Sequence, residues 1–107
     1  MLQQQFKWKR DVLESREPAL VDFWAEWCEP CRMMNPTIEK LARDFKVFKV
    51  NVDRNQELAA RYDISSIPTL LVFKDGKIAA THRGVTPEAT LRSELERLAM
   101  ESNGCNG

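Results

Sequence analysis

Two cysteines three residues apart, Cys28 and Cys31 in Trp27-Cys28-Glu29-Pro30-Cys31-Arg32, are the residues best able to do chemistry. A dithiol at this spacing can cycle between two thiols and one disulfide if the backbone brings both sulfurs to one side. A helix that starts at the first cysteine does this. The second cysteine then falls one turn along, and the free N–H groups and positive dipole end of the first turn favour a thiolate on Cys28. Pro30 suits that first turn, where a missing N–H costs nothing. Half of a zinc site is the competing reading. Zinc needs about four ligands, and the chain offers one histidine, His82, and one further cysteine, Cys105. No metal is therefore expected. A purely structural disulfide is a weak alternative, because so short a loop constrains the unfolded chain little. The expectation is a redox-active Cys28–Cys31 disulfide with no bound cofactor.

Asp22 is the second informative residue, because it interrupts the apolar run Ala19-Leu20-Val21-Asp22-Phe23-Trp24 six residues before Cys28. An unpaired carboxylate in such a run is costly to bury, and desolvation raises its pKa. Lys49 interrupts the run 47–52 in the same way. One reading places Asp22 beneath the cysteines as proton acceptor for Cys31, with Lys49 holding or tuning it. The other lets both side chains reach solvent at a sheet edge. Pro68, in Ser65-Ser66-Ile67-Pro68-Thr69, precedes a strand, and sequence physics alone does not choose its cis or trans form.

The elements that must position these residues follow from periodicity. Residues 19–24 read as a strand buried on both faces, as in parallel sheets. Met34, Ile38, Leu41 and Phe45 recur at helical spacing, and Pro36 inside that helix predicts a kink. Residues 47–52 form a second strand, and Asp53 or Asn55 can cap a short helix carrying Leu58, Ala59 and Tyr62. Residues 69–74 form a third strand, and Asp75-Gly76 is a two-residue hairpin signal that returns 77–81 antiparallel. Thr86 is the expected N-cap of a last helix, with Pro87 at its first position, Leu91, Leu95 and Leu98 as its buried stripe, and Glu88–Arg92 and Arg92–Glu96 on its solvent side. Trp8, Val12 and Leu13 read as one side of an early helix. The order is a right-handed βαβ unit followed by a hairpin and a helix. The fold class is α/β: a central mixed sheet of four to five strands flanked by helices on both faces. Residues 1–100 form the domain, and 101–107 a flexible, turn-like tail.

Bulk properties set the frame. A chain of 107 residues suits one domain. Its 43% apolar and 30% charged residues are ordinary for a globular protein with a core. Lys+Arg and Asp+Glu both number 16, so nothing points to nucleic acid or an anionic membrane as partner. No apolar run approaches the roughly 20 residues of a membrane span, and the first residues lack signal-peptide features. A cytoplasmic monomer is expected.

Together these residues resemble the thioredoxin family. Val21-Asp22-Phe23-Trp24-Ala25-Glu26-Trp27-Cys28-Glu29-Pro30-Cys31 is similar to its active-site signature at all positions but one. Ile67-Pro68-Thr69-Leu70, Phe73-Lys74-Asp75-Gly76 and Gly84 match later landmarks in order and spacing, so that the similarity covers roughly residues 8 to 100. The resemblance implies the thioredoxin fold. It implies that Cys28 is the exposed nucleophile, Cys31 the buried resolving thiol, and Ile67–Pro68 a cis bond facing them. It implies an apolar contact patch of Trp27, Pro30, Ile67, Gly84 and Val85, with the backbone before Pro68 pairing with an extended substrate segment. The implied activity is reduction of protein disulfides. The implied partners are disulfide-containing target proteins and an NADPH-dependent thioredoxin reductase. A partner-specific oxidoreductase and a non-catalytic binding module on the same fold are the alternatives, and the intact Cys28, Cys31, Asp22 and Pro68 set argues against the last. Glu29 stands where the family usually has Gly; a carboxylate beside Cys28 repels its thiolate and makes the couple more reducing. The polar start 1–5 differs from the family's apolar first strand, so that edge strand is expected frayed or absent. Cys105 reads as an incidental exposed thiol and His82 as a surface strand residue without a role.

Overall fold

The computed structural model describes residues 2–3 and 7–104. β1 (Leu2–Gln3) is followed by a π-helical segment (Trp8–Leu13), β2 (Ala19–Trp24), α1 (Glu29–Met33), α2 (Asn35–Ala42) and β3 (Lys46–Asn51). Then come α3 (Gln56–Arg61), β4 (Thr69–Lys74), β5 (Lys77–Arg83) and α4 (Glu88–Gly104). The five strands form one mixed sheet in the order β1-β3-β2-β4-β5. β2 and β3 run parallel, whereas β2–β4 and β4–β5 run antiparallel. The apolar run 19–24 is thus the central strand, which explains why it shows no alternation: both of its faces are covered.

Side chains still alternate between the faces. Leu20, Val47, Leu70 and Val72 point to the side covered by α1, α2 and α4 and pack there with Met34, Ile38 and Leu95. Val21, Phe23, Phe48 and Phe73 point to the other side, under the π-helical segment and α3. On that side Trp8, Tyr62 and Phe73 form an aromatic triad with ring centroids 5.4–5.5 Å apart, and Trp8 Nε1 donates to the Tyr62 hydroxyl at 3.2 Å. Asp22 shares its face with Leu20, and Lys49 shares its face with Val47, so both belong beneath the α1–α2 layer.

The helix expected to run on through Met34 is divided there. Pro36 cannot donate a backbone N–H, and the chain starts a second helix at Asn35 instead of continuing the first. The Asp75-Gly76 turn has positive φ at both residues, 55° and 79°, as a two-residue hairpin of this hand requires. The edge strand expected frayed or absent forms as two residues, Leu2 and Gln3, paired parallel with Val47 and Phe48. α4 runs through Gly104, past residue 101 where the tail was placed, and Cys105 to Gly107 lie outside the described residues. Among the described residues no helix is long and apolar enough to cross a membrane.

Three local expectations need correction. The Thr86 hydroxyl, expected to cap α4, donates back to Gly84 O at 3.0 Å, and the helix begins two residues on, at Glu88. Asn55 precedes α3 without a side-chain cap bond, and Asn51 Oδ1 accepts the Asp53 and Arg54 N–H groups instead. His82 is half-buried on β5 and lies 2.8 Å from Glu94 on α4, so it ties helix to sheet.

Candidate active site

The site lies where β2 leads into α1. Cys28 is the N-cap of α1, in extended conformation, and its sulfur accepts the Cys31 N–H at 3.2 Å. A side-chain oxygen usually fills this place. Sulfur here takes one of the orphan donors of the first helical turn, and a thiolate would take it more strongly. Cys28 and Cys31 are joined in a disulfide with their Cα atoms 5.3 Å apart. Cys28 is 4% exposed and Cys31 1%, so Cys28 is less open than an exposed nucleophile implies; it is only the more accessible of the two.

Ile67 O lies 3.7 Å from Cys28 Sγ, and the Ile67–Pro68 bond is cis. Pro68 is buried behind Ile67, and its carbonyl accepts the Gly84 N–H at 2.8 Å, which fastens the β5–α4 loop to the proline loop. Gly84 has φ 95°, and a Cβ there would meet nothing within 4 Å, so conformation rather than crowding calls for glycine. Thr86 N–H donates to the Met34 sulfur at 3.3 Å, fixing the same loop to the α1–α2 junction. The fold therefore brings Trp27, Pro30, Ile67, Gly84 and Val85 to one end of the sheet around the disulfide, with Trp27 70% and Val85 54% exposed.

Sequence reasoning missed several neighbours. Trp27 Nε1 donates to Asp53 Oδ2 at 2.8 Å, so Asp53, read as a helix cap, holds the indole. Val52, Ile64, Ser65 and Ser66 line a groove of about 320 Å³ with Trp27 and Ile67. Met33, 63% exposed, extends the apolar rim along α1. No sequence pattern singled these out, because each acts through contacts distant in the chain. Glu29 is exposed, and its Oε1 lies 3.4 Å from Arg32 Nη1.

Asp22 is completely buried, which removes the solvent-reaching alternative for it, and neither carboxylate oxygen has a hydrogen-bond partner. Desolvation pushes its pKa up to about 7, against a smaller lowering by Lys49, its register partner on β3. Lys49 is half-buried; its ammonium donates to Asn35 Oδ1 at 3.0 Å and lies 4.2 Å above the Trp24 ring. Among the described residues no three His, Cys, Asp or Glu side chains gather as a metal site would need.

A family model for thioredoxin matches residues 1–97. Thioredoxin 1 of Synechococcus elongatus is 48% identical over 93 residues, covering 83% of this chain and 87% of that protein. Chloroplastic thioredoxin M4 of Arabidopsis thaliana is 43% identical over 99 residues, covering 89% of this chain and 51% of that protein. A mutant thioredoxin from Halobacterium salinarum superposes with a TM-score of 0.82 at 34% identity, covering 92% of this chain and 90% of that one. A dithiol pair capping its own helix, in a fold and sequence shared this widely, places the chain in the thioredoxin family, as a thiol–disulfide oxidoreductase that works through the Cys28–Cys31 pair.

Proposed function

We propose that the chain is a general reductase of protein disulfides, with Cys28 as nucleophile and Cys31 as resolving thiol. The Cys28 thiolate attacks one sulfur of a target disulfide; a mixed disulfide forms and the other target sulfur leaves with the electron pair, to be protonated. Cys31 then passes its proton towards Asp22 and attacks Cys28 Sγ. The Cys28–Cys31 disulfide forms and the second target thiol departs. The target has gained two electrons and two protons, and an NADPH-dependent thioredoxin reductase resupplies the pair with as many, drawn from NADPH and solvent. Lys49 tunes Asp22, and Glu29 tunes the couple. The target segment docks on Trp27, Pro30, Ile67, Pro68, Gly84 and Val85, its backbone meeting the chain before Pro68. We place this activity in the cytoplasm and in a monomer.

The observation that carries this reading is the position of Cys28 Sγ, 3.2 Å from the Cys31 N–H and 3.7 Å from the Ile67 carbonyl, beside exposed Trp27. The test is insulin reduction driven by NADPH and a thioredoxin reductase. The native chain turns over, and Cys28→Ser abolishes turnover. Cys31→Ser accumulates a mixed disulfide with the target, visible as the summed mass. Slow insulin reduction beside fast reduction of one partner would make the chain a specialist. Turnover in the Cys28→Ser/Cys31→Ser chain would overturn the mechanism.

A further inference from the structure

We propose that Asn35 is a positioning residue for the exchange reaction: its side-chain oxygen pins the Lys49 ammonium inside the fold, within the field of Asp22. The geometry stands by itself; its consequence for turnover rests on the reading of Asp22 as proton acceptor. Lys49 and Asp22 are neighbours in register on the face beneath α1 and α2, yet neither Asp22 oxygen receives a hydrogen bond. The ammonium is held elsewhere, by Asn35 Oδ1 at 3.0 Å and the Trp24 ring face at 4.2 Å. An ammonium only donates, so the amide must present its oxygen.

The pin is needed because the lysine has a way out. A recess of about 220 Å³ lies beside it, lined by Trp24, Glu26, Lys49, Asn51, Arg54 and Asn55. A flexible stem and a strongly hydrated head favour escape into such a space. Asn35 opposes that pull from a fixed place, the first residue of α2 at the helix break beside Pro36.

The charges around Asp22 leave Lys49 as the one that matters. β3 supplies Lys49, the charged group acting on Asp22. β4 places Leu70 opposite it. α1 and α2 carry Glu29, Arg32, Glu39 and Lys40, all exposed, besides the Cys28–Cys31 pair. On α4, Arg92 is bonded to Asp44 and Glu88, and Glu94 to His82. If the ammonium leaves, Asp22 keeps its burial and loses its counter-charge. Its carboxyl then holds the proton to higher pH, and Cys31 finds the acceptor occupied over a wider range.

The experiment is a carboxyl-carbon NMR titration of Asp22 in the oxidised chain, paired with the pH profile of mixed-disulfide resolution. Asn35→Ala is expected to raise the Asp22 midpoint by roughly half a pH unit and to move the acid limb of resolution with it. In a Lys49→Met background the same substitution should shift nothing, because the group it positions is gone. An unmoved or lowered midpoint in Asn35→Ala overturns the proposal, and so does an equal shift in the Lys49→Met background. A raised midpoint with an unmoved rate limb supports the pin and overturns instead the reading of Asp22 as acceptor.

Discussion

Asp22 is fully buried without a hydrogen bond, and its pKa of about 7 makes that burial a pH-dependent load on the fold. In the unfolded chain the group ionises near the ordinary aspartate value of 3.8. Between about pH 4 and 7 the folded state therefore binds a proton that the unfolded state has lost, and this residue's contribution to stability falls as pH rises. Below pH 4 both states are protonated; above pH 7 the cost is fully present. Asp22→Asn should thus gain on the native oxidised chain as pH rises from 4 to 8, by at most about 4 kcal/mol. Denaturant unfolding of both chains at the two pH values measures it, and a difference independent of pH would refute the assignment. Glu29 acts more weakly, because its carboxylate is exposed and already paired with Arg32 at 3.4 Å. Through water its repulsion of the Cys28 thiolate is worth roughly 10–20 mV, so Glu29→Gly should raise the potential by about that amount. Equilibration of both chains with glutathione at one pH decides the sign. Cys28, Cys31, Asp22 and Lys49 stand out in the sequence because each contradicts its surroundings, a charge in an apolar strand or two thiols at a helix start. Asn35 and Asp53 contradict nothing locally, and their partners Lys49 and Trp27 are reached only through the fold.

The elements followed from periodicity where one face decides, and departed from it where backbone geometry decides. β2, β4 and the α4 stripe of Leu91, Leu95 and Leu98 all fell where apolar spacing put them. The end of α3 was not legible. Tyr62 caps it and Asp63 follows with φ 54°; the Asp63 N–H bonds Ala60 O and the Ile64 N–H bonds Ala59 O. This is the paired-bond termination that glycine usually provides, here made by an aspartate, and Ile64 packs back into the core behind it. Aspartate tolerates positive φ better than most residues but still carries a Cβ. Asp63→Gly should therefore stabilise the chain by roughly 0.5–1 kcal/mol without altering turnover. Thermal unfolding reads the gain, and a lower midpoint would mean that the Asp63 carboxylate contributes more than the strain it brings.

On the scale of the molecule, a sheet whose central strands are buried on both faces divides the interior, and the redox pair sits at one end of it. The α4 side is a packed core around Leu20, Ile38, Leu91 and Leu95, while the disulfide belongs to a separate small cluster with Ala25 at the exit of β2. Composition and length give the expectation of one domain but not this division, which depends on strand order and on which helix covers which face. The division sets the core beneath the middle of α4 apart from the disulfide. Leu95 is fully buried in α4, seven residues beyond Glu88, about 10 Å along the helix from the end that adjoins the Gly84–Thr86 loop. That loop is held by Pro68 and Met34 through their own hydrogen bonds, not by Leu95. Leu95→Ala should consequently cost 2–5 kcal/mol by opening a cavity, roughly what buried leucines lose elsewhere. Insulin reduction per folded molecule, measured well below the unfolding midpoint, should stay within about twofold of the native rate, since a cavity in the α4 core leaves the site's own hydrogen bonds in place. If turnover per folded molecule fell in step with stability, the seat of α4 would have to be counted as part of the machinery that positions Val85 and the Cys28 sulfur.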